Sequence, residues 1–197
     1  MHIQNIDTNL EVQLTPIDKW IISKCRDTFE KYQKQMENYE IGMARNEIDN
    51  FFWKDFCDNY LEIVKERLYD KENKYGEGHI AAQKTLIIVF LEILKMYSPF
   101  VPHITEYIYQ DLYKSVEKEP MLSANRFVKL PFDEKYLIFG EIIKKIVTEA
   151  RKYKSTRNLS MKEPIENIKI YTTIENGKLL KSSIIDILNC MLLYIIC

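Results

Sequence analysis

The chain has 197 residues, 46% of them hydrophobic, and 28 Lys and Arg against 29 Asp and Glu, for a net charge of -1. That length and apolar content suit one well-packed domain with room for a small appendage, and they rule out a disordered chain. The balanced charge rules out a global field for nucleic acid or anionic membrane, so any polyanion must be held by a local patch.

Only 5 glycines and 6 prolines interrupt a composition dominated by Leu, Ile, Lys and Glu, which predicts mostly helix. Residues 1–20 lack a basic region followed by an apolar run, which argues against a signal peptide. The most apolar internal run, 86–94, is broken by Glu92 and falls short of the roughly 20 apolar residues of a bilayer span. Cys25, Cys57, Cys190 and Cys197 form no C-x-x-C pair and have no His at ligand spacing, so neither zinc nor a disulfide framework is suggested. These features point to a soluble cytoplasmic chain without a membrane partner.

Thr15 as N-cap, Pro16 at the first helical position and Asp18 in the first turn announce a helix running to about Asn38. Along it Ile22, Cys25, Phe29, Tyr32, Met36 and Tyr39 alternate by threes and fours, forming one packing seam. After a turn at "NYEIG", a second helix from about Gly42 to Tyr69 puts Ile48, Phe52, Phe56, Tyr60, Ile63 and Val64 on one stripe. Asp55, Asp58 and Glu62 read as a solvated acidic face of that helix. A polar loop leads to a third helix over about 80–97, apolar on every side at 86–91 and therefore the central one. Pro99 and Pro102 end it, and a shorter helix follows through Tyr113.

Residues 114–132 show no sustained period and read as a long connection. A fifth helix spans about 133–156, with Leu137, Ile142, Ile143, Ile146, Val147, Ala150 and Tyr153 on its core side. The expected fold is mainly α, an up-and-down bundle of about five helices. From about Pro164 the texture changes: "NIKIYTT" alternates like a strand, "LLKSSIIDILN" is helical, and "CMLLYIIC" reads as a second strand or a continued helix. A small β-α-β or β-α appendage is expected there.

Catalytic signatures are missing. No Glu-x-x-His pair supports a di-metal site, and there is no GxxxxGK[ST], GxGxxG or GxSxG segment. Cys57 has no neighbouring base and reads as a small buried hydrophobe. The positive signal is "EARKYKSTRNLSMK", with Arg151, Lys152, Lys154, Arg157 and Lys162. Such a run either complements a helix dipole or contacts phosphate.

"DKWIISKC", "NYEIGMARNEIDNFFWKDFCDNYLEIVK" and "LEILKMYSPFVPHITEYIYQDLY" resemble, in order and spacing, the anticodon-binding helical domain of class I aminoacyl-tRNA synthetases. The likeness covers about residues 15–170 and is closest to the valyl (valine-tRNA ligase) branch, whose signal is "FFWKDFCDNYLEIVK". Asn59 stands where the family usually has Trp, and Lys24 where it usually has Arg. The family's His-x-Gly-His and Lys-Met-Ser-Lys-Ser segments are absent, so this chain resembles a domain cut from a larger ligase, with the chemistry in the missing part. The resemblance implies residues 1–14 as a linker from the catalytic part, 15–163 as the bundle and 164–197 as a truncated appendage. It implies valine tRNA, through its anticodon loop, and the catalytic domain of the same polypeptide as partners, and no cofactor here, ATP being used by the missing domain. An isoleucyl- or leucyl-type domain and a helical module that binds another protein are the alternatives.

In an alternating bundle the 38–45 turn, the "SPFVPH" corner and the end of the fifth helix meet at the end farthest from catalysis. There Gly42 and Arg45 offer a helix N-terminus and a cation, and Arg151, Lys154 and Arg157 offer hydrogen bonds to base edges or phosphate. Tyr39 and Phe100 are the candidate stacking platforms. No residue is expected to be catalytic or to bind metal.

Overall fold

The computed structural model describes residues 12–70, 72, 74–160, 163, 165 and 168–191. Helix α1, Pro16–Glu37, starts at a reciprocal cap: the Asp18 amide donates to Thr15 Oγ1 while the Thr15 amide donates to the Asp18 carboxylate. A second helical rod follows without a break, as α2 (Ile41–Asn50), a π-helical segment (Phe51–Leu61) and α3 (Glu62–Leu68). Then come α4 (Glu77–Tyr97), α5 (Pro102–Leu112), a 3₁₀ turn (Leu122–Ala124) and α6 (Glu134–Thr156). The described chain closes with α7 (Ile174–Ser182) and α8 (Ile184–Met191). The mainly helical class is as the sequence predicts.

The π-helical segment has identifiable causes. Asn59 Nδ2 donates to the Lys54 carbonyl at 2.6 Å, Arg151 Nη2 takes the Asp58 carbonyl at 3.1 Å, and the Glu62 amide reaches only the Asn59 carbonyl. Side chains that occupy ladder carbonyls widen or kink a helix locally. The wider turn adds Phe51 and Asp55 to the predicted stripe of Ile48, Phe56, Tyr60, Ile63 and Val64, and leaves Phe52 half-buried. Asp55 therefore leaves the solvated face: it is buried and meets Lys144 of α6 at 2.6 Å.

The main core joins Trp20, Cys25, Phe51, Phe56, Tyr60, Val89 and Phe139 across α1, the rod, α4 and α6. Gly140 lies flat against Trp20; a Cβ there would fall 1.9 Å from the indole nitrogen. A satellite cluster packs Tyr109 and Tyr113 on Ile87, Leu91 and Leu94, closing α5 onto α4. Helix α4 packs against α1, the rod and α5, as the run apolar on all sides predicts.

Two expectations are corrected. First, α6 does not run back to the 38–45 turn. The long connection doubles back over α4: Lys95 donates to the Arg126 carbonyl, the Val128 amide reaches Glu92, and Phe127 stacks on Phe29 at 4.2 Å. It then descends to Ser23, whose hydroxyl receives the Asp133 amide, and α6 continues past Trp20 toward α8. The extra pass reverses the parity of the bundle. Second, residues 168–173 form no strand, and the helical reading of "LLKSSIIDILN" is split at Ser183 into α7 and α8. Cys190 and Met191 continue α8; residues 161, 162, 164, 166, 167 and 192–197 lie outside the described residues, including Lys162 and most of the second strand expectation. The β-α appendage is thus not supported.

Candidate nucleic-acid interface

The two ends of the bundle differ in how their polar groups are used. At one end Arg67, only 2% exposed, lies between α1, α4 and α8. Its two terminal nitrogens meet the Asp18 carboxylate at 3.0 and 3.1 Å, one of them also donating to the Gly78 carbonyl and the other to Thr15 Oγ1. Tyr60 donates to Asp18 at 3.0 Å, and Arg67 Nε stands 3.0 Å from Asp186. Burial pushes the Asp186 carboxyl up to about 6 although Arg67 pulls it down. The Asp18 carboxylate and both terminal nitrogens of Arg67 are thus committed inward.

At the other end Tyr39 closes α1. Its amide bonds to the Met36 carbonyl and the Glu40 amide to Gln35, the double bond of a Schellman motif, with Tyr39 at φ 61. That left-handed site normally belongs to glycine or asparagine, and α6 shows the usual solution: Asn158 at φ 54, with Asn158 bonded to Ser155 and Leu159 to Lys154. Tyr39 is 88% exposed, so it does not continue the core seam as the threes-and-fours spacing predicts. A bulky residue held in a strained backbone while its ring faces water signals a functional constraint rather than packing.

Gly42 is exposed, a Cβ added there would meet no atom within 4 Å, and Glu40 makes no side-chain cap, so the first amides of α2 face outward. Arg45 is exposed and reaches Asp49 at 3.6 Å; the other Asp49 oxygen accepts the Tyr97 hydroxyl at 2.6 Å. That bond ties the end of α4 to α2 and brings the Phe100 corner to this same end, though Phe100 is half-buried against the core. Tyr39, Gly42, Arg45 and the Phe100 corner therefore lie toward one end of the bundle.

Arg151, Lys154 and Arg157 are not with them. Arg151 lies over Asp58 and near Cys190 of α8, toward the Arg67 end, because α6 runs the other way. Lys154 is 2% exposed, so its ammonium is not displayed to a ligand. Arg157 is exposed, and its guanidinium lies 4.0 Å over the Tyr153 ring while also donating to the Tyr153 hydroxyl. Beside it an open groove of about 710 Å³ separates α6 from Ile165 and residues 168–172, lined by Ile142, Ile146, Lys152, Tyr153, Ile168 and Tyr171. Burial and Asp58 both push the Cys57 thiol up, which disfavours its thiolate.

Sequence reasoning missed the outward face of the rod. Trp53 is 59% exposed, and Asn46, Asn50 and Lys54 beside it are exposed too. The signal was present in the helical period, which places these residues opposite Ile48 and Phe56. Among the described residues no helix is long and apolar enough to cross a membrane, and no group of three or more His, Cys, Asp and Glu is placed to hold a metal.

A family model described as the anticodon-binding domain of tRNA ligase matches residues 18–170. Similar curated proteins include a valine-tRNA ligase of Rickettsia canadensis, 37% identical over 163 residues that make up 81% of this chain and 20% of that protein. A valine-tRNA ligase of Thermococcus kodakarensis is 29% identical over 96% of this chain and 21% of its own length. One of Pyrococcus horikoshii is 31% identical over 95% and 22%. The chain spans about a fifth of the length of the curated relatives it matches.

Proposed function

The chain belongs to the family of anticodon-binding domains of tRNA ligases, and on that premise we propose that its open end, around Tyr39, Gly42, Arg45 and Phe100, holds the anticodon loop of valine tRNA. In this reading the ATP-dependent attachment of valine is carried out by a catalytic domain of the same polypeptide outside this chain, in the cytoplasm, and the bundle positions the tRNA for it. The observation that carries the reading is the extent of the family match, which spans the whole five-helix bundle rather than one helix. The names of the relatives, all valine-tRNA ligases, support valine tRNA over other acceptors. Arg151 and Arg157 act apart from the loop site, as contacts to tRNA backbone farther along the molecule.

Filter binding of the chain to valine tRNA and to a non-cognate tRNA, at two salt concentrations, tests this. The expected result is tighter binding of valine tRNA, weakening as salt rises because phosphate contacts release counterions. Charge reversal at Arg45 or Arg157 should each weaken binding several-fold without loss of helicity. Equal affinity for both tRNAs, or affinity indifferent to both salt and charge reversal, would remove the reading.

A further inference from the structure

Trp is the costliest side chain to leave in water, and this chain has two. Trp20 is fully buried, whereas Trp53 is 59% exposed and meets the Phe52 ring edge-on, at 4.9 Å between centroids. One turn before it stand Asn50 and then Asn46, exposed carboxamides with no hydrogen-bond partner among the described residues. Asn46 and Asn50, four apart on α2, lie one above the other, and the exposed Trp53 follows them at the start of the π-helical segment, giving a short file of exposed side chains along the rod. We propose that this file is a base-reading surface: Trp53 stacks an unpaired RNA base, and the Asn46 and Asn50 amides hydrogen-bond the edges of its neighbours. The proposal rests on the anticodon reading above and names the residues that make contact.

Three observations support RNA as the occupant. Asn46 to Trp53 spans seven residues, about 10 Å at 1.5 Å per residue, which matches the length of roughly three stacked bases. An aromatic platform beside carboxamides is how single-stranded bases are held and distinguished, since stacking accepts any base and the edges carry identity. Of the acids near this face, Asp49 is engaged by Arg45 and by the Tyr97 hydroxyl and Glu47 is half-buried, while Lys54 next to Trp53 stays exposed. Tyr39, strained and exposed, lies just before the start of α2 at the same end. The π-helical segment contributes by drawing Phe51 and Asp55 inward, which leaves Trp53 and Lys54 facing out.

The two tryptophans make the test direct. Titrating the 197-residue chain with the anticodon stem-loop RNA of a valine tRNA should quench the emission of Trp53 and leave that of Trp20 unchanged, and Trp53→Phe should abolish the RNA-sensitive signal. Trp53→Ala should weaken stem-loop binding by about 5- to 150-fold, the range for losing one base-aromatic stack. Trp53→Phe should retain most of the affinity. Asn46→Ala and Asn50→Ala should each weaken it several-fold and change the ranking of loops altered at one anticodon base, while a fully paired duplex of the same length is unaffected. Circular dichroism should match in all variants, because every changed side chain is on the surface. If the unaltered chain binds the stem-loop but Trp53→Ala binds it equally well, this surface is not the reader, and the anticodon reading itself stands. If the unaltered chain shows no preference for the stem-loop over the duplex, the anticodon reading fails and this proposal with it.

Discussion

The same helical rod serves two opposite ends. Near α3 its Arg67 is buried in a network that satisfies Asp18, Thr15, Tyr60 and the Gly78 carbonyl and faces Asp186. Near α2 its Asn46, Asn50 and Trp53 are exposed, and the two carboxamides make no hydrogen bond among the described residues. A polar group at the first end is worth its desolvation only because it is paired, so that end fixes how α1, α4 and α8 are joined. The exposed carboxamides at the second end join no helix to another and are free to meet a ligand. Stability and recognition are thus separated along one element, which gives each end its own way to be broken.

The largest effect belongs to Arg67. Arg67→Met leaves Asp18, fully buried, and Asp186 without a cation, and breaking a buried pair by removing one partner costs about 3–5 kcal/mol. Urea unfolding followed by tryptophan emission should show that loss, with stem-loop affinity per folded molecule unchanged. A loss below about 1 kcal/mol would mean that the network is not what holds this end.

Asp186 predicts a smaller, pH-dependent effect at the same end. Its folded pKa of about 6 lies above the unfolded carboxylate value near 3.8, so the folded state holds its proton more tightly. Stability from this group is therefore present at low pH and lost as pH rises through about 6, despite the attraction of Arg67. Between pH 7.5 and pH 5 the gain should be on the order of 1 kcal/mol. Asp186→Asn, which is neutral at both values, should lack that gain, and parallel stability profiles for the two proteins would contradict the assignment. The stem-loop site should not follow this titration, since none of its residues touches Asp186.

The closed end was partly legible in the sequence, because Thr15, Pro16 and Asp18 carry local cap chemistry and the hydrophobic period marks the helices. Arg67 was not, since nothing within one helical turn distinguishes a cation that is solvated from one that meets an acid 49 residues earlier. The direction of α6 was illegible for a related reason: residues 114–132 have no period, and their pairing with Glu92, Lys95 and Phe29 is purely tertiary. That one reversal separated Arg151 and Arg157 from Tyr39 and Arg45. Trp53 was missed by weighing only what the stripe buries, when the exposed side of the same period carried the signal. The strand expectation for 167–173 rested on alternation alone, and among the described residues no strand lies beside 168–173 to form a ladder with it.

The smallest effect should have the opposite sign. The ends of α1 and α6 are the same motif with different residues at the left-handed position, Tyr39 in one and Asn158 in the other. A side chain larger than glycine or asparagine costs about 1–2 kcal/mol in that conformation, while glycine gives back about 0.4–1 kcal/mol through its freer unfolded chain. Tyr39→Gly should therefore stabilise the chain by a few tenths to about 1 kcal/mol in urea unfolding. If the exposed ring is kept for RNA, the same substitution should weaken stem-loop binding several-fold, so the gain in stability and the loss in affinity appear together in one variant. Tyr39→Asn should show both changes to a lesser degree. A variant that is more stable and binds equally well would detach Tyr39 from the recognition surface and leave its strain without a function. One that is less stable would show that the ring packs on the fold after all, and that the contrast between the two ends is weaker than their exposure indicates.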